Sequence, residues 1–370
     1  MSDPTARPIA PLAYQSDFEA LEDGEADTER ALSETLHKIN EIVRKDEGHA
    51  YRSVHAKSHG LLFGELQVAA GLPATLAQGL FATPASYPVV MRLSTVPGDL
   101  LDDSVSTPRG LGLKVVGVPG DRLPGSEADA TQDFLMVNGP VFSAPTAKKF
   151  LGTLKLLASS TDKLPGLKKA LSATLRGLES LIEKAGGESG TLKALGGHPE
   201  TNILGETFYT QVPMLFGPYM GKLQLVPVSP ELTALTDAPV DLDDRPNGLR
   251  DAVVAHFSGS GGTWELRVQL CTDLETMPIE DASVPWPEDV SPYVTVARIV
   301  ALPQVAWSAA RSAAVDDGMS FSPWHGLAAH RPIGSVMRVR KAVYAMAARY
   351  RSEHNTTQVQ EPRTLTSLPD

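Results

Sequence analysis

Four short segments of the 370-residue chain carry side chains able to move protons, hold anions or ligate a metal. The first runs Tyr51-Arg52-Ser53-Val54-His55-Ala56-Lys57. The second is Val90-Met91-Arg92-Leu93-Ser94-Thr95-Val96, followed by Thr107-Pro108-Arg109-Gly110. The third is Asp133-Phe134-Leu135-Met136-Val137-Asn138-Gly139-Pro140-Val141-Phe142. The fourth is Arg338-Val339-Arg340-Lys341-Ala342-Val343-Tyr344. A histidine changes charge near neutral pH, so His55 could pass a proton in either direction. A cation in an apolar strand, such as Arg92, needs an anionic partner. Arg340 and Tyr344 stand at i and i+4 on one helix face. Taken singly, each segment also has a plainer account. His55 fits a half-buried histidine at a strand start, Arg92 a structural ion pair, Ser94 an ordinary strand serine, and Asn138 before Gly-Pro a turn residue. Arg340 and Tyr344 fit an exposed pair or a tyrosine packed on the core.

The elements that must position these residues follow from periodicity. Residues 25–46 predict a helix, with Ala31, Leu32, Leu36, Ile39, Ile42 and Val43 at helical spacing. Strand patterns follow at Leu61–Ala69, Val89–Thr95, Gly110–Val118 and Phe134–Val137, bounded by Gly, Pro or Asp. Residues 145–195 are rich in Leu, Lys and Ala and predict helices inserted between strands. Strands resume at Thr207–Val212, Gly221–Val228, Leu249–Phe257, Trp264–Thr272 and Val294–Ala301, with Ser258–Gly262 suited to a hairpin turn. The pattern is helical again from about residue 306 to 352, most strongly over Ser335–Arg351. About eight strands with turn signals predict an α+β protein built on a closed antiparallel β-barrel, with the barrel at about 55–305 and helices flanking it. Residues 1–24 read as a loose arm, 25–355 as one domain, and 356–370 as a flexible tail.

Composition narrows the function classes. A net charge of −11 argues against nucleic acid or an anionic membrane as partner. No apolar run of 18 or more residues and no secretory leader is apparent, which points to the cytoplasm and away from a membrane. The single cysteine, Cys271, excludes internal disulfides and reads as a buried strand residue. His325 and His330, five residues apart, lack metal-ligand spacing and read as structural.

The four segments together resemble the haem catalase family in order and spacing. Arg52-Ser-Val-His55-Ala-Lys57 is similar to the family's distal-histidine pattern Arg-x-x-His-Ala-Lys. Arg92-Leu-Ser94-Thr95-Val96 resembles its Arg-Phe-Ser-Thr-Val strand, and Thr107-Pro-Arg109-Gly110 its Asp-Pro-Arg-Gly turn. Asn138-Gly-Pro140-Val-Phe142 resembles its distal Asn segment, and Arg340-x-x-x-Tyr344 its proximal motif. The resemblance spans residues of about 50–352. The chain departs from typical catalases in three ways. It has one residue fewer after Asn138, it lacks the Pro-Asp-Thr-His that follows the proximal Tyr, and it is shorter. These features match the small catalase-related, or catalase-like haem peroxidase, branch.

The resemblance implies haem b, with iron ligated by Tyr344, and Arg52, Arg92 and, two turns along from Tyr344, Arg351 as partners of the haem propionates. Arg340 would favour the charged phenolate of its neighbour. It implies His55 as proton shuttle, Ser94 as the partner of its other ring nitrogen, and Asn138 as donor to the departing oxygen. Val54 and Phe142 would form an apolar wall. The expected activity is decomposition of hydrogen peroxide or organic hydroperoxides through a ferryl intermediate, with an unknown electron donor. The trimmed chain should favour peroxidase over catalase turnover. The arm and tail suit subunit contacts in a homo-oligomer. Two alternatives stay open: rearrangement of fatty-acid hydroperoxides to allene oxides, and a non-enzymatic barrel that binds haem or another apolar ligand.

Overall fold

The computed structural model describes residues 10–105, 107–161 and 200–370. Nine strands form one antiparallel sheet: β1 (Lys57–Val68), β2 (Ser86–Thr95), β3 (Arg109–Val116), β4 (Thr131–Val137), β5 (Phe208–Tyr209), β6 (Met214–Phe216), β7 (Tyr219–Pro227), β8 (Gly262–Leu270) and β9 (Val294–Ala301). Their order is β5-β4-β3-β2-β1-β9-β8-β7-β6. The β5–β7 pairing, Phe208 with Leu225 and Tyr209 with Gln224, closes eight of them into a barrel and leaves β6 as an extra strand on β7. The closed antiparallel barrel expected from the turn spacing is therefore present.

Alternation along the strands sorts the side chains. Val89, Met91 and Leu93 of β2, Leu111, Leu113 and Val115 of β3, and Phe134 and Met136 of β4 enter one buried cluster. Leu62 and Leu66 of β1 and Leu223, Leu225, Leu266 and Ile299 from the far wall join them. Each fully buried leucine contributes roughly 2 kcal/mol by leaving water. The alternate positions, among them Val90, Arg92 and Ser94 of β2 and Gly110 and Gly112 of β3, therefore lie on the outer face.

Val315, Met319, Phe321 and the tail residue Leu368 pack on Leu61 and Val90 of that face, and helices lie outside the strands. Helix α1 (Glu25–Glu47) follows its predicted span and buries Leu32, Leu36 and Val43; its end is set by Gly48 at φ 71°, whose N–H closes on the Arg44 carbonyl. α2 (Ala147–Thr161) opens the predicted helical insert, whose residues 162–195 lie outside the described residues. α3 spans Gly248–Phe257 and α4 Ser335–His354. Glu280 and Glu19 accept the N–H groups of Ser335 (2.7 Å) and Gly334 (3.1 Å), placing negative charge where the α4 dipole favours it. None of the described helices is long and apolar enough to cross a membrane.

One predicted strand is wrong: Leu249–Phe257 is helix α3. Its Val-Val pair has β-propensity, but Leu249, Val253 and Phe257 are buried at i, i+4 and i+8, a helical stripe. Asp103 accepts the Leu249 N–H at 2.9 Å and anchors the first turn. Ser258–Gly262 accordingly joins a helix to β8 and is no hairpin turn.

Both ends read as loose make contacts. Leu12, Tyr14 and Phe18 pack on the cluster of Met220, Cys271, Met277, Ile279, Trp286 and Ile333, and Leu12 N–H bonds to the Cys271 carbonyl at 2.8 Å. In the tail Leu368 is buried against Leu61, Val90, Val315, Met319 and Phe321, and Arg311 donates to the Pro369 carbonyl at 2.8 Å. Glu361 pairs with Lys114, a wholly buried cation on β3. A few anchors suffice here because the outer barrel face presents charge and apolar surface that need covering. Their Pro-, Ser- and Thr-rich composition carries no periodic signal of it.

Candidate functional site

The loop before β1 lifts His55 over the outer barrel face. His55 adopts φ 55°, a left-handed conformation that non-glycine residues rarely take and that costs on the order of 1–2 kcal/mol. The chain beyond it is fixed by Lys57, which donates to Asp103 at 2.6 Å and to the Leu101 carbonyl at 2.7 Å. Ser94 Oγ lies 3.4 Å from His55 Nδ1. The imidazole rests directly on β3 because Gly110 has no side chain: a Cβ there would come within 2.5 Å of the ring. Burial, then the nearby Arg92 and Arg340, push the His55 pKa down to about 3, so the ring is neutral throughout the physiological range.

Beside it lies a concentration of buried positive charge. Arg92 donates to Asp316 at 2.6 Å and to the Ala56 carbonyl at 3.0 Å. Arg52 Nη2 donates to the carbonyls of Val315 (3.0 Å), Asp316 (3.2 Å) and Met319 (3.1 Å), and Arg351 Nη2 to that of Met319 (3.3 Å). All three guanidinium groups thus converge on the π-helical turn Ala313–Asp317 and the residues just after it. Burial, Arg351 and Arg92 hold the Arg52 pKa well below the usual range, and burial and Arg92 bring that of Arg351 to about 10. Burial opposes the Asp316 carboxylate, yet Arg92 and Arg52 outweigh it and its pKa falls. The Nε atoms of Arg52 and Arg351 are buried without a hydrogen-bond partner. Asp316 had no sequence signal, since only the folded turn brings it to Arg92.

Helix α4, packed on α1, supplies Tyr344 and Arg340. Arg340 Nη2 donates to Tyr344 Oη at 2.8 Å, with the guanidinium 5.1 Å from the ring centre. Val54 and Tyr344 border one apolar cluster formed by α1, α2 and α4, including Leu36, Leu151 and Val343. Phe142 packs on Phe150 of α2, ring centres 5.1 Å apart. The structure therefore gathers His55, Ser94, Arg92 and Arg52 on and beside the barrel wall, with Tyr344, Arg340 and Arg351 all on α4.

Asn138 closes β4 and is already engaged. Its Oδ1 accepts the Arg109 backbone N–H at 3.0 Å and its Nδ2 donates to Glu206 at 2.5 Å. Glu206 also pairs with the Arg109 guanidinium. Sequence reasoning missed Glu206, which stands 68 residues from Asn138 and outside every motif.

Among the described residues, one other cluster gathers candidate metal ligands: Asp133, His325 and Glu361, with ligand atoms within 4.8 Å of one another. Lys114 Nζ already sits among them, 2.7 Å from Asp133 and paired with Glu361, so an ammonium occupies the place between the two carboxylates. His325 thus takes a structural place, as does His330, which accepts the Leu80 N–H at 3.0 Å among Phe81, Phe134 and Phe216.

A closed eight-stranded antiparallel barrel with one extra strand and several helices is a catalase-like fold. Solved catalases share it. A bacterial catalase superposes with a TM-score of 0.59 at 16% identity, over 90% of this chain and 64% of that one. A fungal catalase gives 0.57 at 18%, over 85% and 64%. Catalase A from Saccharomyces cerevisiae gives 0.57 at 18%, over 87% and 64%. The chain thus spans less than two thirds of the length of these structures. No family model and no curated protein matches the sequence.

Proposed function

We propose that the chain binds haem b and decomposes peroxides, taking electrons from a second peroxide or from an organic donor. The observation that supports this best is one arginine shared by two groups: Arg340 donates to Tyr344 Oη at 2.8 Å and lies within electrostatic reach of neutral His55.

The residues fit the group. The buried Nε atoms of Arg52 and Arg351 lack partners, and a porphyrin carries two carboxylates that such cations would hold, with Arg92 close enough to act on both. Tyr344 would ligate the iron, its oxygen already accepting a hydrogen bond from a charged donor. When bound, the haem iron supplies the redox chemistry that cleaves the O–O bond.

The remaining steps belong to side chains. Neutral His55 takes the proton from one peroxide oxygen through its free lone pair and returns it to the other, which leaves as water. Ser94, at 3.4 Å from Nδ1, holds the ring for this transfer. The Asn138 amide steadies the departing oxygen. Val54 and Phe142 restrict water, so that the proton stays with His55.

The test is an absorption spectrum of the haem-supplied protein with and without peroxide, alongside oxygen evolution and dye oxidation. The reading expects a Soret band that changes on peroxide addition. A protein that takes up no haem refutes it, and fast oxygen evolution with no dye oxidation removes the peroxidase half.

A further inference from the structure

We infer that Glu206 is a positioning residue for the reaction: it fixes the side-chain amide of Asn138, with Arg109 as its counter-ion. The inference rests on the haem–peroxide reading above and adds a residue that no motif contains.

The argument begins with what an amide can and cannot do. The two ends of an asparagine side chain differ in that the oxygen only accepts and the nitrogen only donates. Asn138 Oδ1 accepts the Arg109 N–H at 3.0 Å, while the Asn138 N–H returns a bond to the Arg109 carbonyl at 3.0 Å. Those bonds tie Asn138 to the start of β3. They hold the oxygen end of the side chain.

Glu206 fixes the other. Its Oε2 accepts from Asn138 Nδ2 at 2.5 Å. Its Oε1 faces the Arg109 guanidinium, and Thr201 Oγ1 lies 3.4 Å from the same oxygen. The Arg109 and Glu206 side chains are 4% and 15% exposed, so this is an interior ion pair and the carboxylate is held as an anion that only accepts. Rotating the amide by half a turn would set Oδ1 against a carboxylate and the NH2 group against an N–H. Both contacts are repulsive, so one orientation survives.

Such pre-aiming matters for a donor that must meet charge as it develops, because a donor that has to reorient contributes less. The fold delivers Glu206 to this place through barrel closure. β5 joins the edge of β4 by the pair Val137–Tyr209, bringing the residues just before β5 alongside the residue just after β4.

The test uses the full-length, haem-loaded chain and the variants Glu206→Gln, Asn138→Ala and both together. A glutamine in place of Glu206 would offer the amide oxygen a donor and release the orientation. Three readouts apply: the Soret spectrum, cyanide affinity of the ferric protein by titration, and kcat and KM for hydrogen peroxide. Glu206→Gln should keep the haem spectrum, weaken cyanide binding about tenfold and lower kcat by a similar factor with KM little changed. Asn138→Ala should do the same, and the double variant should lose no more than Asn138→Ala alone. Should Glu206→Gln strand Arg109 and fail to fold, the paired variant Arg109→Met, Glu206→Gln removes both charges and is read in the same way. Unchanged cyanide affinity, or losses that add in the double variant, overturn the role assigned to Glu206 while leaving the haem reading intact. Failure of the unmodified chain to take up haem overturns both.

Discussion

Arg340 Nη2 donates to the Tyr344 hydroxyl at 2.8 Å across one turn of α4, and the same guanidinium helps to depress the pKa of His55. One cation therefore acts on both groups. It offers a charged hydrogen bond to the oxygen proposed as ligand, and it penalises a second positive charge on the imidazole proposed as proton carrier.

Tyr344→Phe should remove most bound haem, or leave a Soret band of altered position. Arg340→Leu should keep the fold and lower haem affinity by roughly 10–100-fold, the usual cost of losing a ligand's hydrogen-bond partner. Haem titration followed at the Soret maximum measures both. A spectrum unchanged by Tyr344→Phe would mean that another residue ligates the iron.

His55→Gln should retain haem and lose peroxide decomposition by about 10²–10⁴-fold. Its pKa in the folded chain, about 3, lies below the ordinary 6.5, so the unfolded chain binds a proton over that interval and the folded one does not. Stability is therefore highest above pH 6.5 and declines as the pH falls toward 3. Denaturant unfolding from pH 7 to 4 should show a shallower decline for His55→Gln than for the unmodified chain. Parallel curves would mean that the ring is not buried neutral.

Gly110→Ala tests the contact between His55 and β3. The added methyl would lie 2.5 Å from the imidazole, so the ring must move while the strand stays paired. A displacement of that size should cost on the order of 10²-fold in turnover. Overpacking should add about 1–3 kcal/mol of destabilisation. Haem affinity should change much less, and turnover equal to that of the unmodified chain would show the contact to be unimportant.

Glu361→Gln should loosen the tail. It removes one of two carboxylates from buried Lys114 and one partner of His325, at a cost of roughly 2–3 kcal/mol by chemical denaturation, less than full loss of a buried partner because Asp133 remains. Burial opposes the charged form of His325, but Asp133 and Glu361 raise its pKa to about 9. Its contribution is complete below pH 6.5 and fades as the pH rises through 9. Faster proteolysis of the tail at pH 9.5 than at pH 6 is the expected sign.

Much of the architecture was legible from pattern. The helical stripe Leu32–Leu36–Val43, the alternation of β8 and the long helix after Gly334 follow directly from side-chain period, because one face of each must leave water. Leu249–Phe257 misled because two valines outweighed a stripe only nine residues long. The tail misled because Glu361 and Leu368 matter only where Lys114 and the outer barrel face await them.

The site divides along the same line. The sequence by itself determined which side chains are candidates, since His55, Ser94, Asn138, Arg340 and Tyr344 sit in short motifs whose members are neighbours through a loop, a strand or a helical turn. Only the tertiary structure decided that Arg52, Arg92 and Arg351 converge on one turn around Asp316, that Gly110 makes room for His55, and that Glu206 grips Asn138. The physical reason is range. Periodicity and propensity act over one or two turns of chain, whereas closing the barrel joins β4 to β5 across 72 residues and brings together charges that need one another once they are out of water.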